Sequence, residues 1–409
     1  MTDLAKMRQR IFELEAENAQ HERTRQELRN SLSMQKAVLD TIPDIVWLKD
    51  KDSRFLAVNE AFAKACGKAK EELIGTSDFD FWPHDLAQRY RDDDIEVMRS
   101  GRKKVIEETL VHSGNEQVWI ETIKSPVYAD EGEVIGTVGI SRNVTERKRA
   151  QQRVETELAV AAEIQSSMLP KDFSNLARLA EFDLHAVMRP AREVGGDFYD
   201  FFLIDNDHLC ISVGDVAGKG VAASLFMAIT LALLRSTARE TSAPDIILNR
   251  LNRELARGND ACMFVTAFCG VLDLETGQLS YANAGHNPPV VVKDLTSVFN
   301  LSAPSGPPLG ILEGTTYKDE QLVLGSGEVL FAYTDGVTEA CGENADFFSE
   351  ARLLQQLLRL GQGTCAAIVT GLMESLTAFC GESNQADDIT MMALCFKGRK
   401  PGPSAVTSY

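Results

Sequence analysis

A chain of 409 residues, 44% apolar and 25% charged, is long enough for two or three domains with their own cores and has an ordinary globular composition. Its formal net charge of −18 argues against nucleic acid as a partner, because phosphate binding needs a concentrated excess of lysine and arginine. The eight cysteines include no C-x-x-C, which rules out zinc-knuckle and thioredoxin-like motifs and suits small buried residues in a reducing compartment. Met1 leads into a charged helix rather than a signal peptide. The longest strongly apolar run, Leu225 to Leu234, is far short of the roughly 20 residues of a membrane span, so a soluble, cytoplasmic protein without a membrane contact is expected.

The first predicted element is a helix in which Leu4, Met7, Ile11, Leu14, Asn18, His21, Arg25, Leu28, Leu32, Gln35 and Leu39 alternate in steps of three and four. That is the seam of a coiled coil, with a polar middle that weakens it and can fix register. A two-stranded parallel coil is one reading; a solvated helix lying on its own domain is the other.

From about Ala37 to Val144 the texture changes. "DIVWLKDKDSRFLAVN" reads as two short strands around a polar turn, followed by a short helix, a longer helix from about Asp85 to Arg99, and three strands joined by "SGNE" and "ADEGE". These elements imply a mixed sheet with helices on one face. The series "IPDIVWLKDKDSRFLAVNEAF", "EELIG" and "VIGTVGISRNVTERKRAQQ" resembles a PAS domain, a family whose general role is sensing through a bound ligand or dimer contacts. Cys66 does not stand in the reactive-cysteine motif of a flavin photosensor. His84 and His112 are conceivable haem ligands, but a lone histidine is far more often structural, and the PAS ligand stays unassigned.

A second predicted helix, from about Thr145 to Leu169, again shows the three-and-four spacing at Val154, Leu158, Ala161, Gln165 and Met168, with Ile164 alongside, and stops at Pro170. Such a helix can transmit rotation or a change of register, or serve as a rigid spacer. From Glu181 to Phe396 strand-like runs flank helices at Val221 to Arg239, Asp245 to Arg257, Glu350 to Leu360 and Cys365 to Cys380. Antiparallel strands with grouped helices suggest an α+β sandwich.

The chemistry lies in four acidic clusters: "EVGGDFYD" with Asp197 and Asp200, "VGDVAGKG" with Asp215, "AYTDGVTEA" with Asp335, and "ADDIT" with Asp387 and Asp388. Asp215, Asp335 and Asp387 each stand at the end of an apolar strand or just before one, beside turn residues. A carboxylate there is costly to bury without a partner, and no nearby lysine or arginine accompanies each one. Hard divalent cations are the economical solution, since several aspartates can share two ions that activate water toward phosphorus.

"AEIQSSMLP", "REVGGDFYDFF", "GDVAGKGVAASLFMA", "NAGHNPP", "GPPLGI", "YTDGVTEA" and "ADDIT", in that order over residues 160 to 397, closely resemble the SpoIIE-type branch of the type 2C, metal-dependent serine/threonine protein phosphatases. The resemblance implies two Mn²⁺ or Mg²⁺ ions. Asp215 would bridge them, the Val216 carbonyl and Asp197 would serve one, and Asp335 and Asp387 the other, with Asp388 a weaker ligand candidate. Asp215 and Asp197 would be the catalytic pair. Val216 stands where the eukaryotic branch has glycine, which is tolerable because only a backbone oxygen is needed. Arg189 and Arg192 are the candidates for holding the substrate phosphate. His286 is better read as loop structure than as catalytic, and Gly195, Gly196, Gly218 and Gly220 would let backbone approach ions or phosphate. The substrate class implied is a phosphorylated STAS-type anti-sigma-factor antagonist.

"GGDFYD" superficially resembles a diguanylate cyclase signature, but Phe198 and Tyr199 stand where that enzyme needs Glu-Phe; a histidine kinase lacks its His box and ATP lid here. The remaining rival is a phosphatase fold kept as a non-catalytic signalling scaffold. The expected class is α+β: a coiled-coil helix over 1–36, a PAS sensor domain over 37–144, a helical linker over 145–170, an α/β/β/α type 2C-like phosphatase sandwich over 171–397 and a disordered tail over 398–409, with homodimerisation through the coils and PAS domain.

Overall fold

The computed structural model describes residues 2–111, 117–171 and 181–398; His112 and the tail beyond 398 lie outside them. The chain divides into two compact units, Met1–Val154 and Glu155–Tyr409.

In the first unit, α1 (Thr2–Thr41) is one helix of 40 residues, about 60 Å long at 1.5 Å per residue. It runs five residues past the sequence-based boundary at 36 and ends before Ile42, whose following Pro43 disfavours helical backbone. Its seam residues Met7, Ile11, Leu14, Leu28 and Leu32 are all exposed. Next come β1 (Ile45–Asp50), β2 (Phe55–Val58), α2 (Glu60–Cys66), α3 (Lys70–Leu73), α4 (His84–Ser100), β3 (Lys104–Val111), β4 (Gln117–Tyr128) and β5 (Val134–Asn143). The strands form one antiparallel sheet in the order β2-β1-β5-β4-β3. Buried Asn59 fixes its entry: the side chain caps α2 by accepting from the Phe62 N–H, accepts from the Val46 N–H and donates to the Ile42 and Asp44 carbonyls. Trp47, Phe55, Phe62 and Leu73 form the core beside it. His84 opens α4 and packs against the Phe79 ring.

The helix α5 (Thr145–Met168) spans the division between the units. In the second unit it is followed by β6 (Phe182–Arg189), β7 (Phe198–Leu203), β8 (His208–Val216), α6 (Val221–Ala238), α7 (Pro244–Ala256), β9 (Val265–Asp273), β10 (Gln278–Ala284), β11 (Val290–Val292), β12 (Val298–Asn300), β13 (Glu320–Val323), β14 (Val329–Tyr333), α8 (Asp335–Thr338), α9 (Ser349–Leu360), α10 (Cys365–Cys380) and β15 (Ile389–Phe396).

Two five-stranded antiparallel sheets result, β13-β10-β9-β8-β7 and β12-β11-β14-β15-β6. Alternation along the strands assembles the layers. Val291, Leu330, Ala332, Met392 and Leu394 face the first sheet, sharing a core with Ile211 and Phe268. Their neighbours Val290, Val292, Phe331, Met391 and Ala393 face the other way, against Leu353 and Leu357 of α9 and Ile368 and Leu372 of α10. Helices α6 and α7 cover the far face of the first sheet through Met227, Leu231, Leu234, Ile247 and Leu251. The product is an α/β/β/α sandwich. Although α6 is long and apolar enough to cross a membrane by composition, this face of it belongs to the core.

Candidate metal centre

Strand direction gathers the acidic clusters. β7 starts where β8 ends, because Phe198 pairs with Gly214, and β14 ends where β15 starts, because Tyr333 pairs with Met391. Asp197 immediately precedes β7, Asp215 is the penultimate residue of β8, Asp335 opens α8 just after β14, and Asp387 and Asp388 lead into β15. All therefore sit at one end of the sandwich.

They act on one another there. Burial raises the Asp197 carboxyl well above the usual carboxylate range and Asp215 raises it further, against the opposing hydroxyl of Thr334. Asp215 is pushed up to about 7 by burial, then by Asp335 and Asp387, although a hydrogen bond with Asp197 opposes the rise. Asp335 is raised by burial, then by Glu339 and Asp387. Clustered carboxylates that repel one another in a half-dry pocket are the donor set that hard divalent cations fit. Among the described residues no three acidic, histidine or cysteine side chains already stand as a closed ligand set.

The loop carrying Asp197 is built by contacts distant in sequence. Asp388 is buried, with one carboxylate oxygen accepting from the Ala191 N–H at 2.8 Å and the other from the Gly196 N–H at 2.7 Å. Its carboxylate is thus occupied in shaping the loop, whereas Asp387 turns to the surface and pairs with Lys219 at 3.1 Å. Gly195 and Gly196 are required by close approach. A Cβ on Gly195 would stand 2.3 Å from an Asp388 oxygen, and one on Gly196 would stand 2.7 Å from the Val216 carbonyl. Asp197, 1% exposed, accepts from Thr334 Oγ1 at 2.7 Å, and Thr334 Oγ1 in turn accepts from the Thr390 N–H, so Thr334 links the two sheets at the site.

The expectation that no lysine or arginine accompanies each of Asp215, Asp335 and Asp387 is corrected at Asp387. Lys219 pairs with Asp387 and donates to the Ala386 carbonyl at 2.6 Å. Asp200 is fully buried and held by Arg235 through two hydrogen bonds of 2.7 and 2.9 Å, a neutralised structural pair away from the cluster. A cleft of about 330 Å³ opens beside Asp387 and is lined by Arg189, Lys219, Glu339 and Phe347 among others. Arg192 lies exposed on the 190–197 loop and is not part of that lining. His286 is buried against β9: its Nδ1 meets the Thr266 hydroxyl at 2.8 Å, its backbone is bracketed by Asn283, and burial pushes its imidazole down to about 4. It is a neutral loop-organising residue, as its motif suggests.

Sequence reasoning missed Thr334 and Lys219, and it placed Gln165 in an apolar seam. Gln165 is instead buried against the loop: its amide donates to the Gly195 carbonyl at 2.6 Å and accepts from the Gly195 N–H at 3.1 Å. The same helix end is held where Arg235 donates to the Met168 carbonyl and the Tyr199 hydroxyl to the Pro170 carbonyl. Val154, Val160 and Ile164 on α5 remain exposed.

Residues 205–397 match the family model described as Stage II sporulation protein E (SpoIIE), and residues 39–149 match that of the PAS fold. Protein IcfG of Synechocystis sp. (strain ATCC 27184 / PCC 6803 / Kazusa) is 34% identical over 265 residues, 58% of this chain and 41% of its own length. Phosphoserine phosphatase RsbU of Bacillus subtilis (strain 168) is 30% identical over 245 residues, 60% of this chain and 71% of its own. Among solved structures, the SiaA-PP2C domain of Pseudomonas aeruginosa superposes with a TM-score of 0.55 at 25% identity, covering 60% of this chain and 98% of that one. The chain thus spans less than half of IcfG and about seven tenths of RsbU. It belongs to the SpoIIE-type, PP2C-like phosphatase family, with a PAS domain ahead of the phosphatase domain.

Proposed function

We propose that this chain is a metal-dependent protein phosphatase that hydrolyses phosphoserine or phosphothreonine on a STAS-type anti-sigma-factor antagonist in the bacterial cytoplasm, under control of its PAS domain. The observation that carries the reading is the convergence of Asp197, Asp215, Asp335 and Asp387 on one end of the sandwich, where burial and neighbouring carboxylates raise the carboxyls of Asp197, Asp215 and Asp335. Family membership and the name of RsbU support the reaction class.

In this reading Asp215, Asp335, Asp387, Asp197 and the Val216 carbonyl hold two divalent cations, Mn²⁺ or Mg²⁺. When bound, such ions supply an acidified water as nucleophile and neutralise charge on a transferring phosphoryl group. The protein's own part is positional. Thr334 orients Asp197, Asp388 and Gln165 hold the backbone that presents it, and Thr266 braces the strand pair from which Asp215 projects. Arg189 and Lys219, on the cleft beside Asp387, are placed to receive an anionic substrate group, with Arg192 at the rim. The exposed apolar residues of α1 and α5 suit pairing with a second copy through coiled coils.

The test is hydrolysis of p-nitrophenyl phosphate and of a phosphoserine STAS protein with and without Mn²⁺. Turnover that appears with Mn²⁺ and disappears in Asp215→Asn is expected. A protein that binds the STAS partner and shows no metal-dependent turnover would instead be a signalling scaffold.

A further inference from the structure

Thiols meet in pairs in the second unit, and burial sets one pair apart. Cys210 hydrogen-bonds with Cys269, and Cys365 neighbours Cys395, but Cys210, Cys269 and Cys365 are all fully buried. No oxidant reaches a thiol enclosed in that way. Cys341 and Cys380 are only half-buried, and both line the cleft of about 330 Å³ beside Asp387.

Cys341 lies in the loop between α8 and α9, and Cys380 is the last residue of α10. The residue after each cysteine is pressed against the other segment. A Cβ on Gly342 would stand 3.1 Å from the Phe379 ring, and one on Gly381 would stand 2.2 Å from a Glu343 carboxylate oxygen. Burial pushes the Cys380 thiol up, nearby Cys341 adds to the rise and Arg189 opposes it. A disulfide needs Cα atoms within about 7 Å. The loop is a turn closed on itself, with the Gly342 N–H donating to the Asp346 carbonyl and the Phe348 N–H to that of Ala340, so it can be drawn inward without unpairing a strand.

We propose that Cys341 and Cys380 are a reversible dithiol–disulfide site, oxidised by a hydroperoxide, whose closed form obstructs the cleft. The Cys341 sulfur attacks one peroxide oxygen, the O–O bond breaks, and the thiol proton leaves with the departing oxygen as water. The Cys380 sulfur then displaces the hydroxyl of the resulting sulfenic acid as a second water. Two thiols lose two electrons to one hydrogen peroxide, and a dithiol reductant reverses the change. Cys380 acts second because its proton is held more tightly. The bond ties the loop after α8 to the end of α10 across a cleft that reaches Asp387. Its effect on turnover rests on the phosphatase reading; its formation does not.

Full-length, metal-free protein is treated with hydrogen peroxide, freed of it, blocked with N-ethylmaleimide and cleaved after glutamate. Residues 340–343 and 375–382 each hold one cysteine and should appear as a linked peptide that dithiothreitol splits. Hydrolysis of p-nitrophenyl phosphate with Mn²⁺ should fall at least ~10-fold after oxidation and return with dithiothreitol. Cys341→Ser and Cys380→Ser, on different elements, should each keep the reduced rate and lose the peroxide effect. The inference is overturned if no linked peptide forms while exposed Cys262 is oxidised. It is overturned equally if the linked protein hydrolyses at the reduced rate, or if both serine variants stay as peroxide-sensitive as the parent. A reduced protein without turnover would count against the phosphatase reading, and the linked peptide would still decide the thiol pair.

Discussion

Gln165 and Gly195 hold each other through both hydrogen-bonding groups of one peptide unit, at 2.6 and 3.1 Å, and Gly195 lies two residues before Asp197. The helix that spans the two units is thereby fastened to the loop that presents a candidate ligand. A turn of α5 about its axis breaks both bonds at once, which gives the proposed control by the PAS domain a physical point of action.

Gln165→Leu keeps the volume and strands two buried backbone groups, at about 1–3 kcal/mol each. Phosphatase activity should fall ~10- to 100-fold at limiting Mn²⁺ and recover in part at saturating Mn²⁺, with Gln165→Glu intermediate because it keeps an acceptor. Initial rates across an Mn²⁺ series decide the matter. An unchanged Mn²⁺ dependence would make Gln165 a packing residue only.

Asp215→Asn removes one of several carboxylates that repel one another. The metal-free protein should melt ~2–4 °C higher, while Mn²⁺ should no longer raise its melting temperature and hydrolysis should drop about a thousandfold or more. Differential scanning fluorimetry with EDTA or Mn²⁺, beside a rate assay, separates this from simple misfolding, which would lower the metal-free melting temperature.

Thr334 is fully buried and serves both sheets with one hydroxyl. Thr334→Val retains shape and loses both hydrogen bonds, for an expected loss of ~1–3 kcal/mol in urea unfolding together with a lower kcat. Thr334→Ser should restore both. A serine variant as impaired as the valine one would show that the methyl group, not the hydroxyl, matters there.

In the PAS unit, Lys49→Met leaves Asp78 and Asp94 facing each other without their shared cation and should cost ~3–5 kcal/mol. Lys51→Met, two residues on, breaks only the exposed pair with Glu133 and should cost less than ~1 kcal/mol. Calorimetry of the two variants would show a large shift of one transition for the first and almost none for the second.

The contrast between Lys49 and Lys51 also marks the limit of what the chain discloses by itself. Helix ends, the strand series and the acidic motifs are local patterns, and α6, α7, α9 and α10 begin and end within a residue of where spacing and punctuation put them. Nothing local in "VWLKD" sets Lys49 apart from Lys51, because its partners Asp78 and Asp94 stand 29 and 45 positions away. Thr334 and Asp197 are separated by 137 residues, and Gly196 and Asp388 by 192. Hydropathy and spacing report which face a residue occupies. They do not report which polar atom meets it once distant strands pair.

The strand directions described above have a last consequence. β8 has nine residues, so at about 3.3 Å each the hairpin turn at 204–207 lies roughly 25 Å from Asp215, at the opposite rim of the sheet. The turn at 274–277, between β9 and β10, lies on that rim too. Loops there can lengthen, shorten or acquire new contacts without disturbing a single candidate ligand, which leaves that rim as the part of the phosphatase unit most open to evolutionary tinkering.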